Sequence, residues 1–335
     1  MAKKIVKNPH LQFAVFGILL ATVPTLASLG VIRVGTITTI AGVIIYAMVA
    51  LGLNLLLGFS GSISLGSAGF MGLGAYIAAF FLVELGMPLL VGLLAAILIP
   101  TALGLLVGLV SLRISGLYLA IATLCVSEIL LRTFEQGGRF TGGMGGMGPF
   151  GFPAFFGFRF GRDTMFVALV VVLVLLMMLT YNLVNGHLGR AFNAMRGSES
   201  AAQAMGVNLL KYRLIAFCLA NAYAGVAGAM YAYFIRFVFP TAWTLDFSLF
   251  ILAAVVVGGF RSIYGTVLGA FMIWAVPVLF LQRLPIIGDI PGLHMIFNGI
   301  LIVLVIMFYP QGLIHIFSDA KRFLVRLAKG GRNSA

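Results

Sequence analysis

Long apolar runs, repeated along most of the chain, limit what this sequence can fold into more than any other feature. Apolar residues make up 62% of the 335 residues and charged residues only 9%, against about 25% charged in a typical soluble domain. Most runs reach the roughly 20 residues that a helix needs to cross a bilayer. A transmembrane barrel would instead show alternating segments of about ten residues. The sequence therefore predicts an all-α, polytopic helical membrane protein with about ten transmembrane or re-entrant helices.

The candidate spans follow one another with short polar connections. They are residues 11–32, 35–57, 66–85, 89–112, 115–134, 164–184, 214–235, 247–258, 263–281 and 293–309. The eighth run is shorter than the others, which is compatible with a tilted, partial or re-entrant helix. The first run is longer than the apolar core of a signal peptide, about 7–15 residues, and is therefore predicted to be an uncleaved span.

The distribution of positive charge predicts which helix ends face the cytoplasm. If the N-terminus is cytoplasmic and ten spans alternate, fourteen of the 21 lysines and arginines lie inside and seven outside. Such a bias is typical of membrane proteins, so both termini and residues 185–213 are predicted to be cytoplasmic. The net charge of +13 is explained by these flanking residues, which also contact anionic lipid. We therefore expect lipid rather than nucleic acid as the anionic partner.

The chain divides into three parts on this basis. Residues 1–9 form a basic cytoplasmic N-terminus, residues 10–317 a transmembrane domain, and residues 318–335 a basic cytoplasmic tail. Residues 136–163 are predicted to be extracytoplasmic. They are rich in glycine, which disfavours a regular helix, and in phenylalanine, which is unusual in a free linker. We expect a folded loop on the membrane surface there, available to dock a partner.

The most polar segment between two spans contains a short predicted helix. Ser198 is a good N-cap residue, and Glu199 places a carboxylate at the positive end of the helix dipole. Gly206 suits the position just after a helix, so residues 199–205 are predicted to be helical. A helix this short and this poor in bulky side chains is not stable alone. It is either a capped connector or a segment that packs against the membrane domain or a partner protein.

Glycine and serine interrupt the apolar pattern between residues 46 and 76. Backbone that is not helical at membrane depth survives only inside protein or beside water, and small residues also allow helices to approach closely. The segment is therefore either a broken helix beside a translocation path or a tight seam between helices. The candidate path residues here are Asn54, Ser60, Gly61, Ser62, Ser64 and Gly66.

Glu128 is predicted to be the most deeply placed carboxylate. A buried charge in a membrane is costly, which by default indicates a function, and Glu128 is added to the candidate path. Arg132 lies four residues later, in the favourable order for a helical ion pair. The structural alternative, an ion pair between the two side chains, is the stronger of the two interpretations.

Several of these segments resemble a known family. Glu199-Ser200-Ala201-Ala202, with Gly206 following, is similar to the EAA loop of ABC-transporter permeases. The wider run from Gly189 to Gly206 resembles the branched-chain amino acid permeases of the LivM type. The runs from Gly52 to Tyr76 and from Gly116 to Leu124 resemble the same family, as does the Pro-Gln-Gly-Leu at residues 310–313.

The resemblance implies a function for the polar loop. In the family this loop is a coupling helix that docks into a groove on a cytoplasmic ATPase. The residues that it implies for coupling are Gly189, Arg190, Arg196, Ser198, Glu199, Ala201, Ala202 and Gly206.

The resemblance also implies partners and a mechanism. The chain is expected to be the permease of an ABC importer in a bacterial inner membrane, with a second homologous permease subunit, two cytoplasmic ABC ATPases and a substrate-binding protein. The sequence has no Gly-x-x-x-x-Gly-Lys-Ser/Thr motif, so we expect no cofactor on this chain and ATP use by the partner subunits. The expected solute is a branched-chain or related amino acid. Urea, short amides or another small polar solute are the alternatives.

A different class of function remains open on the residues alone. A secondary transporter working by itself would need ionisable side chains at several midplane positions, and only Glu128 qualifies. A membrane enzyme is the least favoured class, because no His, Cys or paired carboxylates cluster in the sequence.

Overall fold

The computed structural model describes residues 9–28, 34–111, 117–152, 154–155, 158–279, 292–309 and 312–313. Within these ranges the protein is a bundle of helices. Their bounds are α1 Pro9–Ala21, α2 Val23–Ser28, α3 Val34–Leu53, α4 Ser67–Val83, α5 Leu89–Ser111, α6 Leu117–Gln136, α7 Arg162–Asn185, α8 His187–Gly197, α9 Glu199–Ala204, α10 Leu209–Ile235, α11 Leu245–Gly258, α12 Ile263–Ala270, α13 Val276–Leu279 and α14 Leu293–Phe308.

Shorter elements complete the fold. Two π-helical segments, Asn54–Phe59 and Phe271–Ala275, continue α3 and join α12 to α13. Three 3-10 turns lie at Gly138–Phe140, Gly143–Gly145 and Pro240–Ala242. The strands β1 Ala154–Phe155 and β2 Phe158–Arg159 form one antiparallel pair of two residues each. The all-α fold class predicted from the apolar runs is confirmed.

Six helices in the described ranges are long and apolar enough to cross a membrane. They span Pro9–Ala27, Gly35–Phe59, Leu89–Val110, Arg162–Asn185, Leu209–Ile235 and Pro240–Gly258. Shorter apolar helices lie at Ser67–Val83, Ile263–Leu279 and Met295–Val305. A polytopic helical membrane protein accounts for this set, while the number of about ten crossings stays a prediction.

The helices run between two ends of the bundle. We call the end that carries residues 185–213 and the turn 259–262 the polar end. The first helix begins there, because the Tyr264 hydroxyl donates to Gln12 Oε1 at 3.2 Å. The last described residues return there, because the Leu313 N–H donates to the Val257 carbonyl at 2.9 Å. Both ends of the described chain therefore lie on one side, as the alternation of spans predicts.

The opposite end is covered by the folded loop predicted at residues 136–163. The Met147 and Val238 backbones exchange hydrogen bonds of 2.7 and 2.9 Å, which fastens this loop to the segment after α10. Arg139 pairs with Glu84 at 2.9 Å, and the Arg236 guanidinium lies 4.2 Å from the centre of the Phe152 ring. The loop is thus packed on the bundle where it is described, as predicted.

The centre of the bundle is a seam of glycines between α4, α5 and α10. A Cβ at Gly74 would lie 2.6 Å from the Gly225 carbonyl oxygen, and one at Gly228 would collide with the Met71 carbonyl oxygen. A Cβ at Gly225 would collide with the Ala96 carbonyl oxygen. The three backbones therefore touch directly, which is how small residues hold helices together where lipid gives no hydrophobic driving force.

Candidate functional site

The short helix at the polar end forms as the sequence predicts. The Ser198 Oγ accepts a hydrogen bond from the Ala201 N–H at 3.3 Å, and α9 begins at Glu199. Gly206 has a φ of +82°, a conformation that an L side chain disfavours and that glycine adopts readily. The predicted cap at each end is confirmed, and the helix ends at Ala204, one residue before the predicted end.

The two alanines predicted to dock a partner face opposite environments. Ala202 is only 4% exposed and belongs to the hydrophobic core, whereas Ala201 is exposed. Ala202 therefore packs inside the chain, and only Ala201 of the two is accessible to a partner. The coupling role of both alanines stays a prediction. The outward residues of α9 and its C-cap are Ser200, Ala201, Gln203, Ala204 and Met205, and the Met205 side chain is 84% exposed.

Glu199 is engaged within the chain. Its carboxylate pairs with the guanidinium of Arg213, whose side chain is 15% exposed. The Asn208 side chain also caps α10, accepting from the Lys211 N–H at 3.0 Å. The ion pair therefore fastens the first turn of α9 to the first turns of α10, and a displacement of one helix must act on the other.

Gly189 is a packing residue in the corner between α7 and α8. A Cβ at this position would collide with the Val184 carbonyl group, so only glycine fits. Arg190, its neighbour in the predicted coupling set, is exposed. The loop is therefore shaped by Gly189, while Arg190 stays available to solvent.

Two arginines lie side by side at the polar end. The Arg196 guanidinium lies 5.7 Å from the centre of the Phe260 ring, and that of Arg261 lies 6.0 Å from the Phe59 ring. Arg261 also donates to Asn193 Oδ1 at 2.7 Å. Burial lowers the pKa of Arg196, and the nearby charge of Arg261 lowers the pKa further. The two cations repel each other, so an anion between them would be stabilised.

A pocket of about 420 Å³ opens beside Arg196. The pocket is lined by residues of both segments. Ser60, Gly61 and Ile63 come from the broken segment, and Arg196 and Glu199 come from the polar loop. Sequence reasoning did not assign Phe260 or Arg261 to this site. The one sequence feature that could have placed them there is the turn 258–262, which is predicted to lie on the same side of the membrane as the polar loop.

The predicted break in the second apolar segment is confirmed. Residues 61–66 are not helical, and α4 begins at Ser67. Its first N–H groups are satisfied by side chains that come from far along the chain. The Leu65, Ala68 and Gly69 N–H groups donate to the hydroxyls of Thr123, Ser248 and Ser127, each at 3.0 Å. The N–H groups around the end of the break are therefore hydrogen-bonded within the protein, as backbone at membrane depth must be.

Asn54 holds two turns together. Its Nδ2 donates to Thr266 Oγ1 at 2.8 Å and to the Ser262 carbonyl at 3.3 Å, and its Oδ1 accepts from the Arg261 N–H at 3.1 Å. Asn54 is 1% exposed. Both amide protons are used within the chain, so Asn54 clamps two turns together. Its predicted place on a solute path stays a prediction.

The serines of the broken segment are largely satisfied as well. The Ser60 hydroxyl donates to the Leu56 carbonyl at 2.9 Å and lies 3.4 Å from the Ser62 hydroxyl. The Ser64 hydroxyl accepts from the Gly66 N–H at 3.3 Å. Gly61, with a φ of +78°, lies against the Arg196 side chain. The segment therefore belongs to the polar end and adjoins the loop.

Glu128 lies apart from this group. Its side chain is 47% exposed, and it pairs with Arg132 at 2.9 Å. Arg132 also pairs with Glu135 at 2.8 Å. The alternative of an ion pair with Arg132 is confirmed, whereas the depth of Glu128 in the membrane stays a prediction.

Comparison with known proteins extends these observations. A profile of the family described as "Branched-chain amino acid transport system / permease component" matches residues 35–306. The chain is 30% identical over 331 residues to the high-affinity branched-chain amino acid transport system permease protein LivM of Salmonella typhimurium, covering 92% of this chain and 75% of that protein. The corresponding protein of Escherichia coli is 31% identical over the same extent.

A shorter match involves an archaeal protein. The probable branched-chain amino acid transport permease protein LivH of Methanocaldococcus jannaschii is 36% identical over 118 residues, which is 35% of this chain and 36% of that protein. No solved structure matches the chain.

Proposed function

This chain belongs to the family of permease components of branched-chain amino acid transport systems, and we propose that it is the membrane-spanning permease subunit of an ABC importer. It moves branched-chain or related amino acids across the bacterial inner membrane. ATP is bound and hydrolysed by two separate cytoplasmic ATPase subunits. A second, homologous permease subunit completes the path, and a binding protein delivers the solute at the opposite end.

The observation that carries this proposal is the outward face of α9. Its exposed residues include Ser200, Ala201 and Ala204, which have almost no side-chain bulk, and the flexible Met205. Such a helix can seat deeply in a groove of a partner, and methionine adapts to an apolar surface. Because Glu199 is tied to Arg213, a push on α9 is passed to α10 and so to the centre of the bundle.

Charge favours the same surface. The adjacent cations of Arg196 and Arg261 fit an acidic side chain of the ATPase, which would neutralise both. The polar end is accordingly cytoplasmic, and the parts of the chain are the basic N-terminus 1–9, the permease domain 10–317 with its coupling loop 185–213, the extracytoplasmic loop 136–163 and the basic tail 318–335.

The docking proposal is tested with one bulky substitution and its control. Ala204→Trp adds a large side chain on the side of α9 away from Ala202, whereas Ala204→Ser adds almost no volume at the same position. In a transporter reconstituted from all its subunits, Ala204→Trp is expected to lower ATP-driven uptake about tenfold, which corresponds to about 1.4 kcal/mol of docking free energy. Ala204→Ser should transport normally.

Two measurements on the Ala204→Trp variant distinguish lost docking from misfolding. Retention of the ATPase subunits on the purified permease reports docking, and circular dichroism of the same sample reports folding. If Ala204→Trp retains the ATPase and transports at the normal rate, the outward face of α9 is not a docking surface. Uptake of labelled leucine and of labelled urea by the unsubstituted transporter separates the two solute classes.

A further inference from the structure

Three buried hydrogen-bond donors in the bundle have no partner among the described residues. One is the Asn221 side-chain amide on α10, and the other two border one aromatic cluster. These two are the Tyr76 hydroxyl on α4 and the Trp243 indole N–H just before α11. The two residues are 0% and 1% exposed. Nearly all buried polar groups in proteins find a partner, so two unpaired donors in one region need an explanation.

Both donors belong to one aromatic cluster. The Tyr76 ring lies 4.7 Å from the Phe134 ring, measured between centroids. A Cβ at Gly72, one helical turn before Tyr76, would lie 2.7 Å from both the Phe134 and Trp243 rings. Trp243 in turn contacts Tyr231 at 5.1 Å between centroids. The absence of a side chain at Gly72 therefore lets these rings close over α4 from two sides.

The cluster continues across the bundle. Phe247 lies 6.0 Å from Trp243 and 5.2 Å from Tyr46, again between ring centroids. Helices α3, α4, α6, α10 and α11 all contribute rings to this cluster.

Several other polar groups of the bundle are satisfied, although the Asn221 amide on α10 is not. The Tyr233 hydroxyl donates to the Leu89 carbonyl at 3.1 Å, and the Tyr223 hydroxyl lies 3.0 Å from Thr180 Oγ1. The hydroxyls of Ser127 and Ser248 accept hydrogen bonds from the first turn of α4. These hydroxyls form hydrogen bonds within the bundle. The Tyr76 hydroxyl and the Trp243 indole N–H do not, and burying them without a partner costs stability.

We propose that the Tyr76 hydroxyl and the Trp243 indole N–H bind the carboxylate of the transported amino acid, while the surrounding rings contact its apolar side chain. An indole N–H can only donate, so its ligand must be an acceptor, and the two oxygens of a carboxylate can accept from two donors. The rings supply the apolar surface that a branched side chain requires. This inference rests on the proposed function and places the solute site away from the broken segment, whose polar groups hold the fold.

The test compares two tyrosines that differ in one respect. Tyr76→Phe removes an unpaired hydroxyl, and Tyr233→Phe removes a paired one. In the reconstituted transporter with saturating loaded binding protein, Tyr76→Phe is expected to lower the leucine transported per ATP hydrolysed by about tenfold. Its melting temperature should be unchanged or higher. Tyr233→Phe should show the reverse pattern, with normal transport and a lower melting temperature.

A direct signal comes from Trp243 itself. The chain has only two tryptophans, so in a complex that carries Trp274→Phe the tryptophan emission of this chain comes from Trp243 alone. Millimolar leucine should change this emission saturably, leucinol without a carboxylate should not, and Trp243→Phe should abolish the change.

Two results would overturn the inference. One is normal transport per ATP in Tyr76→Phe together with no leucine-dependent emission from Trp243. The other is a lower melting temperature in Tyr76→Phe with normal transport, which would mean that the hydroxyl has a structural partner. If the unsubstituted transporter moves no branched-chain amino acid with ATP, the proposed function fails instead, and the two failures are thereby distinguished.

Discussion

Replacing Asn54 with alanine tests whether this residue is a clamp or part of a solute path. The change removes three hydrogen bonds, to Thr266 Oγ1, to the Ser262 carbonyl and from the Arg261 N–H. Each hydrogen bond contributes about 0.5–1.5 kcal/mol net, and a buried group left without a partner costs about 1–3 kcal/mol.

The expected loss of stability depends on which groups keep another hydrogen-bond partner when Asn54 is replaced. Thr266 keeps its own bond to the Ser262 carbonyl at 2.8 Å, so the Arg261 N–H is the main group left unsatisfied. We therefore expect Asn54→Ala to lower the free energy of unfolding by about 2–4 kcal/mol. Asn193→Ala, which removes one exposed bond to Arg261, is the control and should cost less than about 1 kcal/mol.

The assay is equilibrium unfolding of the purified permease in mixed detergent micelles, followed by circular dichroism. A second substitution, Gly58→Ala, gives an independent test of the clamp. A Cβ at Gly58 would collide with Asn54 Oδ1, so Gly58→Ala should destabilise the protein much less when Asn54 is already alanine. Transport per ATP should stay normal in the fraction of Asn54→Ala that remains folded. A loss below about 0.5 kcal/mol combined with impaired transport would refute the clamp and restore Asn54 to the path.

Three further predictions address packing, topology and charge. Gly228→Ala should destabilise the bundle by about 3 kcal/mol because its Cβ meets the Met71 backbone, whereas Gly299→Ala, with open space around it, should not; equal stability of the two would refute the backbone seam. With Cys125 and Cys218 replaced, a cysteine substituted for Ser200 should react with an impermeant thiol reagent only from the cytoplasmic side, and labelling on intact cells would reverse the assigned topology. Exchange of Glu128 and Arg132 should retain most transport, since both side chains are exposed and can pair in either order; loss of transport in a well-folded exchange variant would indicate a role beyond the ion pair.

The features that were predictable from the sequence depend on neighbours along the chain. The apolar runs, the Ser198 cap, the turn at Gly206 and the break before Ser67 all follow from local composition and local backbone preference. The Glu128–Arg132 pair is local as well, because the two residues are one helical turn apart.

The features that were not predictable depend on distant partners. The amide of Asn54 is used by residues more than 200 positions away, and nothing near it indicates that it is occupied. Ala201 and Ala202 are chemically identical, so only the packing of α9 against the bundle decides that Ala202 faces inward. The exposure of Glu128 likewise depends on which face of α6 the other helices cover.

The seam of glycines between α4 and α10 has a mechanical consequence. Two helices that meet through side chains are separated by a compliant layer, since rotamers can change and absorb a displacement. At Gly74 and Gly228 the backbones themselves touch, so that layer is missing and the two helices must shift as one stiff body. The first turns of α10 are tied to α9 through Arg213 and Glu199, while α4 carries Tyr76 half-way along its length. A displacement of the short helix at the polar end therefore reaches the aromatic cluster with little loss on the way.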